Sequence, residues 1–66
     1  MKAQLINLGR GKVNKEIEVK NTKELHKEIG KHLASKGWGM DETDTPDLWE
    51  VNSGMRIVGH VKILEP

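Results

Sequence analysis

The clearest pattern of apolar and polar positions lies in the middle of the chain, over residues 22–36. Its apolar positions recur every four residues, at Leu25, Ile29 and Leu33. A row of lysines has the same spacing two positions earlier, at Lys23, Lys27 and Lys31. At about 100° per residue, each lysine lies about 160° around a helix from the apolar residue that follows it. The segment therefore predicts a helix with one apolar face and one basic face.

Residues at both ends of this segment support the helix. Asn21 is a favoured N-cap residue, and Glu24 lies three positions later, where a capping box places an acidic side chain. Gly37 is typical of a helix C-terminus. Gly30 lies inside the predicted helix and costs about 1 kcal/mol relative to alanine. It is either a tolerated imperfection or a point where a partner's backbone approaches closely.

Two hairpins are predicted on either side of the helix. The apolar run Lys2–Leu8 and the alternating segment 13–20 flank the glycine-containing residues 9–12. This is the pattern of a β-hairpin, whose register stays open. Residues 48–51 and 55–64 form the second hairpin. A three-residue loop over 52–54 would put Gly54 in the left-handed conformation.

The pairs that this three-residue loop creates favour it over a two-residue loop. It pairs apolar residues with apolar residues and residues of opposite charge with each other, and such cross-strand pairs stabilise antiparallel strands. The predicted pairs are Val51 with Met55, Trp49 with Ile57, and Glu50 with Arg56.

The expected fold is a single compact α+β domain over residues 1–66, with the element order ββαββ. Residues 37–47 are expected to form an acidic loop in which Pro46 excludes helix. If each connection reverses the chain, the first and last strands run parallel. Both carry apolar residues on both faces and are expected to be central, which gives a mixed four-stranded sheet of order 2-1-4-3 with the helix across one face. This element order resembles the β-grasp arrangement, without any sequence motif. The final residues 64–66 lack the Gly-Gly of ubiquitin-like modifiers and sulfur carriers, so no such role is expected.

Composition limits the size, the cellular location and the possible metal sites of the protein more than it limits its function. A chain of 66 residues without cysteine offers one small core, no disulfide and no thiolate metal site. No run approaches the ~20 apolar residues that a membrane span needs, so we expect a soluble cytoplasmic protein with no membrane partner. Residues 1–36 carry nine basic and four acidic side chains, and residues 37–66 carry two and six. This asymmetry indicates either a basic binding side or complementarity between the two halves.

No catalytic, cofactor or metal motif is complete. Counted from Asp41, the sixth and twelfth positions of a calcium loop hold Pro46 and Asn52 instead of glycine and glutamate. The glycines at 9 and 11 lack the remaining glycine and the following helix of a phosphate-binding loop. Neither serine lies in a nucleophile elbow. The three histidines, His26, His32 and His60, are not spaced to share a metal. We therefore predict a protein that is not an enzyme and binds no cofactor or metal.

Two surfaces remain as binding candidates. The first is the sheet face away from the helix, or an exposed edge strand, which would bind another protein as a small modulator or inhibitor. Trp38 would add an anchor if it is exposed and not a core residue. The predicted protein-binding residues are Leu48, Arg56, Val58, His60, Lys62 and Trp38. The protein itself is expected to be a monomer or a weak homodimer.

The alternative partner is nucleic acid, held by a row of basic side chains that can follow phosphates. The residues predicted for it are Arg10, Lys12, Lys23, Lys27 and Lys31. Glu24 and Glu28 partly neutralise this row, and no aromatic residue interrupts it for base stacking. The sequence therefore favours a protein partner.

Overall fold

The computed structural model describes residues 1–34 and 36–65, and Ser35 and Pro66 lie outside that range. Within it, five strands and one helix follow in the order ββαβββ. Their bounds are β1 Lys2–Leu8, β2 Val13–Glu18, α1 Thr22–Gly30, β3 Trp38–Glu42, β4 Leu48–Ser53 and β5 Arg56–Glu65. No helix among these residues has the length and apolar character needed to cross a membrane.

The strands form one five-stranded sheet in the order β2-β1-β5-β4-β3, and every neighbouring pair is antiparallel. The predicted four-stranded mixed sheet of order 2-1-4-3 is therefore wrong, and so is the β-grasp arrangement. The first and last strands are neighbours, as expected. Because β3 adds one more reversal of the chain, they run antiparallel instead of parallel.

The additional strand β3 lies in the segment that the sequence predicts to be an acidic loop. Its glycines and acidic residues have low intrinsic strand preference, but pairing with β4 overrides that preference. Met40 pairs with Val51, and both Trp38 and Met40 pack against the core. The remaining loop, residues 43–47, contains Pro46 as predicted.

Helix α1 begins where the sequence predicts and ends earlier. The Asn21 side chain accepts a hydrogen bond from the Glu24 backbone N–H at 2.9 Å, which confirms the N-cap. The last helical residue is Gly30, not residue 36. Bonds from His32 N to Ile29 O and from Leu33 N to Gly30 O then form a tighter final turn, which is a common helix ending.

The core lies between α1 and one face of the sheet. Its helix contribution is Leu25 and Ile29, and the described residues include no buried polar or charged side chain. Among the described elements, no second helix or sheet covers the opposite face of the sheet. The buried core residues are Ala3, Leu5, Leu8, Val19, Leu25, Ile29, Val51 and Val61.

The register of the β4–β5 hairpin differs from the predicted one. Ser53 pairs with Arg56, so the loop has two residues, Gly54 and Met55. Gly54 has the expected positive φ, at 64°, and the residue after it does not. This combination is that of a type II′ turn. A bulge at Val58 then shifts β5 by one residue.

As a result Val51 pairs with Gly59, and Trp49 pairs with Val61 instead of Ile57. Val61 also pairs with Leu5 of β1. The register of the hairpin is therefore set by the pairing of the central strand β5 with both neighbours, and it could not be predicted from the turn residues alone.

Candidate functional site

A groove of about 610 Å³ opens at the end of the sheet where β1 ends and β5 begins. The loop 9–12, the segment after α1 and the start of β5 form its walls. We call it the cationic groove, because three of its lining residues are Arg10, Lys12 and Arg56. Leu33, Ile57 and Val58 contribute its apolar lining.

The loop 9–12 is held against both other walls of the groove. The Gly9 N–H donates a 2.8 Å hydrogen bond to the Val58 carbonyl oxygen on β5. A Cβ atom on Gly9 would lie 2.1 Å from the carbonyl oxygen of His32, just after α1. Gly9 also has a φ of 73°, a value that residues with a side chain rarely adopt. The loop therefore requires glycine at this position for two separate reasons.

A bulge in β1 fixes the other side of the loop. Asn7 has a φ of 47°, and the pairing of β1 with β2 shifts between Leu5 and Leu8. The Asn14 side chain accepts a 3.0 Å bond from the Asn7 backbone N–H. It donates to Asn7 Oδ1 at 3.0 Å and to the Lys12 carbonyl oxygen at 2.9 Å. Asn14 thus connects the bulge at Asn7 to the backbone of Lys12.

We expect Asn14→Ala to lower the free energy of unfolding by about 1–2 kcal/mol. It removes three hydrogen bonds at an exposed site, where each net contribution is at the lower end of the usual range. Guanidinium chloride unfolding followed by circular dichroism measures the change. Glu16 is exposed on the same strand and provides the control. Glu16→Ala should change the stability by at most about 0.5 kcal/mol. Equal stability of the two variants would contradict the role given to Asn14.

Gly59 allows β1 to pack closely on β5 beneath the groove. Its φ is 155°, and a Cβ atom there would lie 2.8 Å from Leu8 Cα and 3.0 Å from the Asn7 carbonyl oxygen. The space beside this glycine is occupied by Leu8.

The electrostatic character of the groove is one-sided. None of its lining residues is acidic, and no carboxylate among residues 1–34 and 36–65 forms an ion pair with Arg10, Lys12 or Arg56. The ion pair that the structure describes joins Lys31 Nζ to Glu28 Oε1 at 2.7 Å, and this hydrogen bond lowers the pKa of Glu28. The three groove cations therefore remain available to an external anion.

Asp47, in the loop 43–47, lies too far away to neutralise the groove. The Asp47 carbonyl oxygen accepts a 2.8 Å bond from Ile63 N, seven residues along β5 from Arg56. At about 3.3 Å per residue that separation is about 23 Å, well beyond the Debye length of about 8 Å at physiological salt. Asp47 therefore does not compensate the charges of the groove, and in the described part of the chain no ion pair joins the acidic half to the three groove cations.

The residues predicted to bind protein are spread over three environments. Leu48 pairs with Lys62, and His60 pairs with Glu50, so these side chains share the helix-free face. Arg56 lies in the cationic groove. Val58 is predicted by the sequence to point outward, but the bulge lets it pack against the core.

The Trp38 side chain packs inward from β3, against helix α1. Its ring makes an edge contact with His26, with 5.5 Å between ring centroids. A Cβ atom on Gly30 would lie 3.6 Å from Trp38 Nε1, an ordinary contact distance. The chain's own indole, and not an external backbone, therefore lies over this glycine.

The residues predicted to bind nucleic acid fall into two groups. Lys23 and Lys27 are exposed on α1, and Lys31 is engaged with Glu28. Arg10 and Lys12 lie apart from this row, in the cationic groove with Arg56. The contact between Gly9 and His32 nevertheless places the groove loop beside the C-terminal end of the lysine row.

Two exposed apolar residues beside the groove were missed by the sequence analysis. Met55 is 101 % exposed and Ile57 is 58 % exposed, although both were predicted to pair with core residues of β4. The signal for them was the Gly54-Met55 dipeptide, since glycine at the first central position is typical of a type II′ turn. That turn leaves Met55 at the tip.

A second, smaller groove of about 300 Å³ lies on the helix side of the sheet. Its lining is mainly apolar, with His26 and Thr22 as polar neighbours. The apolar lining residues are Met1, Leu25, Met40, Trp49 and Ile63. In the described residues, no three His, Asp or Glu side chains converge as metal ligands would.

Comparisons with protein-family models, curated proteins and solved structures find no match for this chain. No relative therefore supplies a function or a set of site residues. The features from which a function can be inferred are the cationic groove and the exposed apolar side chains beside it.

Proposed function

We propose that this protein is a small non-enzymatic protein-binding module that contacts a larger protein through β5 and its turn. The observation that supports this proposal is the distribution of exposed apolar side chains. Among the described residues, the exposed large apolar side chains are Met55 and Ile57 at the turn and Leu64 near the other end of β5. We call the proposed contact the β5 surface, which comprises Leu48, Met55, Ile57, His60, Lys62 and Leu64.

The exposed side chains at the tip are not explained by folding. Met55 occupies the second central position of a turn, where polar residues fold equally well, and its side chain contacts solvent over its whole surface. Ile57 pairs with the polar Asn52 and is more than half exposed. Apolar side chains grouped in this way are typical of partner surfaces, and flexible methionine is especially common there.

The surrounding residues also suit a protein interface. Ile6 pairs with His60, and Leu48 pairs with Lys62, so apolar and polar side chains alternate across the helix-free face. Protein interfaces combine apolar contacts with a polar rim in this way. The accessible surface of this protein is 4749 Å². A standard interface covers about 800 Å² per partner, which is about a sixth of that surface.

We expect Ile57→Asp to weaken partner binding by about 30- to 100-fold, because it places a charge where an apolar anchor is proposed. The change should leave the fold intact, since Ile57 is largely exposed. The measurement is affinity capture by tagged protein from nuclease-treated lysate of the source organism, with quantification of the co-captured proteins.

Lys15→Asp is the matched control, because it introduces the same side chain at an exposed position of the edge strand β2. It should retain the partner that Ile57→Asp loses. Equal recovery of the same partner by wild type and Ile57→Asp would contradict the proposal.

Nucleic-acid binding is the second candidate, favoured by the position of Arg10 and Lys12 next to the end of the lysine row. Neither tryptophan lines the cationic groove, so the imidazole of His60 is the one ring among its described lining residues on which a base could stack. Under this alternative, nuclease treatment would remove all co-captured protein. Replacement of Lys23, Lys27 and Lys31 by glutamate would then abolish binding, and Ile57→Asp would not.

A further inference from the structure

We propose that the cationic groove is the site where an acidic polypeptide segment of the protein partner binds. This inference rests on the proposed function and specifies the chemistry of the partner. The segment would carry carboxylates toward Arg10, Lys12 and Arg56 and at least one aliphatic side chain toward the groove lining.

Charge complementarity is the first argument. The groove has three cations and no acidic lining residue, and none of these cations has an ion-pair partner in the part of the chain that the structure describes. Because no acidic residue lines the groove, the three side chains create a local positive potential that is not apparent from the net charge of +1. Such a potential steers acidic partners and fixes their orientation.

The apolar lining is the second argument, and it separates a polypeptide from a nucleic acid. Leu33, Ile57 and Val58 present aliphatic side chains, which match an aliphatic side chain of similar size. A groove for single-stranded nucleic acid combines its cations with several aromatic faces for base stacking, whereas His60 supplies the one ring among the described lining residues here. Ile57 belongs to both the groove and the β5 surface, so one continuous partner could cover both.

The rigidity of the groove walls is the third argument. Gly9 is bonded to Val58, and Asn14 fixes Asn7 and the Lys12 carbonyl. Four of the six positive-φ residues in the described chain, Asn7, Gly9, Lys12 and Gly59, line this groove. A preformed groove binds a segment with less loss of conformational entropy than a mobile loop would.

The test is an NMR titration of the ¹⁵N-labelled protein, since neither tryptophan lies in the groove to report by fluorescence. The probe is a short synthetic peptide rich in glutamate with a central leucine. We expect saturable shifts at the amides of Arg10, Lys12, Arg56 and Gly59. Single alanine variants of the three cations should each weaken binding about fivefold, and the triple variant about 100-fold, because all three side chains line the groove and contribute to one local positive potential.

Matched controls separate the groove from charge in general. Lys23 and Lys27 are cations of the exposed helix face. Replacing either by alanine should change the affinity less than about twofold. A peptide with lysine in place of glutamate should produce no shifts in the groove. An all-glutamate peptide without leucine should bind about tenfold more weakly than the probe, because the apolar lining gains no partner.

Three results would overturn the inference. They are the absence of groove shifts with the acidic probe, equal weakening by Lys23→Ala and Arg56→Ala, and tighter binding of a single-stranded oligonucleotide than of the peptide at the same sites. The failure of this inference is distinguishable from failure of the proposed function. If Ile57→Asp loses a captured partner that the triple groove variant retains, the protein-binding function stands and the acidic segment does not.

Discussion

Replacement of Gly59 by alanine should destabilise this protein strongly, lowering the free energy of unfolding by about 3–5 kcal/mol. The added Cβ would lie 2.8 Å from Leu8 Cα and 3.0 Å from the Asn7 carbonyl oxygen, both backbone atoms. Backbone atoms cannot rotate away, so β1 and β5 must separate. Overpacking of this kind costs about 1–3 kcal/mol. Gly59 also has a positive φ that side chains rarely adopt. Backbone strain of that kind adds about 1–3 kcal/mol.

The consequence is large relative to the whole protein, which has only 66 residues. At about 0.1 kcal/mol per residue, the total stability of so short a chain is on the order of 7 kcal/mol. Gly59→Ala should therefore unfold a substantial fraction of the protein in mild denaturant. Guanidinium chloride unfolding monitored by circular dichroism and by tryptophan fluorescence measures the loss.

Gly39→Ala provides the matched control for Gly59→Ala. Gly39 also lies in a strand, but a Cβ there meets only Asn52 Oδ1, at 3.6 Å, and its φ is not in the positive region. We expect a change of at most about 0.5 kcal/mol. If Gly59→Ala were as stable as Gly39→Ala, the close approach of β1 and β5 at the groove would be incorrect.

Replacement of Gly9 by alanine should cost about 2–4 kcal/mol and also impair the cationic groove. Its Cβ would lie 2.1 Å from the His32 carbonyl oxygen, so the loop 9–12 must move away from the segment after α1. Movement in that direction strains the bond from Gly9 N to the Val58 carbonyl oxygen. The φ of 73° adds a further penalty for any side chain.

Gly11→Ala tests the same loop without the clash. A Cβ on Gly11 meets only Val13 Cγ2, at 3.8 Å, and its φ is not in the positive region. This variant should differ from wild type by at most about 0.5 kcal/mol in stability and bind the acidic probe peptide normally. Equal stability of the Gly9 and Gly11 variants in chemical denaturation would show that the loop does not pack against the helix end.

Local signals in the sequence were sufficient to locate α1 with its first residue and the two strands of the first hairpin. The four-residue spacing of Leu25 and Ile29 placed the helix, and Asn21 placed its start. Its end was misplaced because the early turn after Gly30 is stabilised by tertiary contacts, including the approach of Gly9 to His32. The residues near Gly30 give no information about the position of the loop 9–12, which lies about 20 residues earlier in the chain.

The missed strand β3 changed the topology more than any other error. Its glycines and carboxylates have the composition of a loop, and only the pairing of Met40 with Val51 and the packing of Trp38 make it a strand. Since each antiparallel strand reverses the chain, one omitted strand turned an antiparallel β1–β5 pair into a predicted parallel pair. Intrinsic preference could not reveal this, because strand formation depends on neighbours that are distant in sequence.

The candidate site was only partly predictable for a related reason. Arg10, Lys12, Arg56 and His60 were all recognised as candidates, but they were divided between two hypotheses. The bulge at Val58 and the two-residue turn bring these residues together, and neither irregularity has a strong sequence signal. The same irregularities moved Ile57 and Met55 from the expected core to the surface.

The measurement that tests the central claim most directly is site-specific photo-crosslinking in the source organism. A photoreactive amino acid replaces Met55, whose full exposure makes the change harmless to folding, and in parallel replaces Lys23 on the exposed helix. We predict one discrete protein adduct from position 55, none from position 23, and loss of that adduct when Ile57→Asp is combined with the probe. Equal adducts from both positions, or an adduct to nucleic acid from position 23 alone, would contradict a protein-binding module that acts through β5.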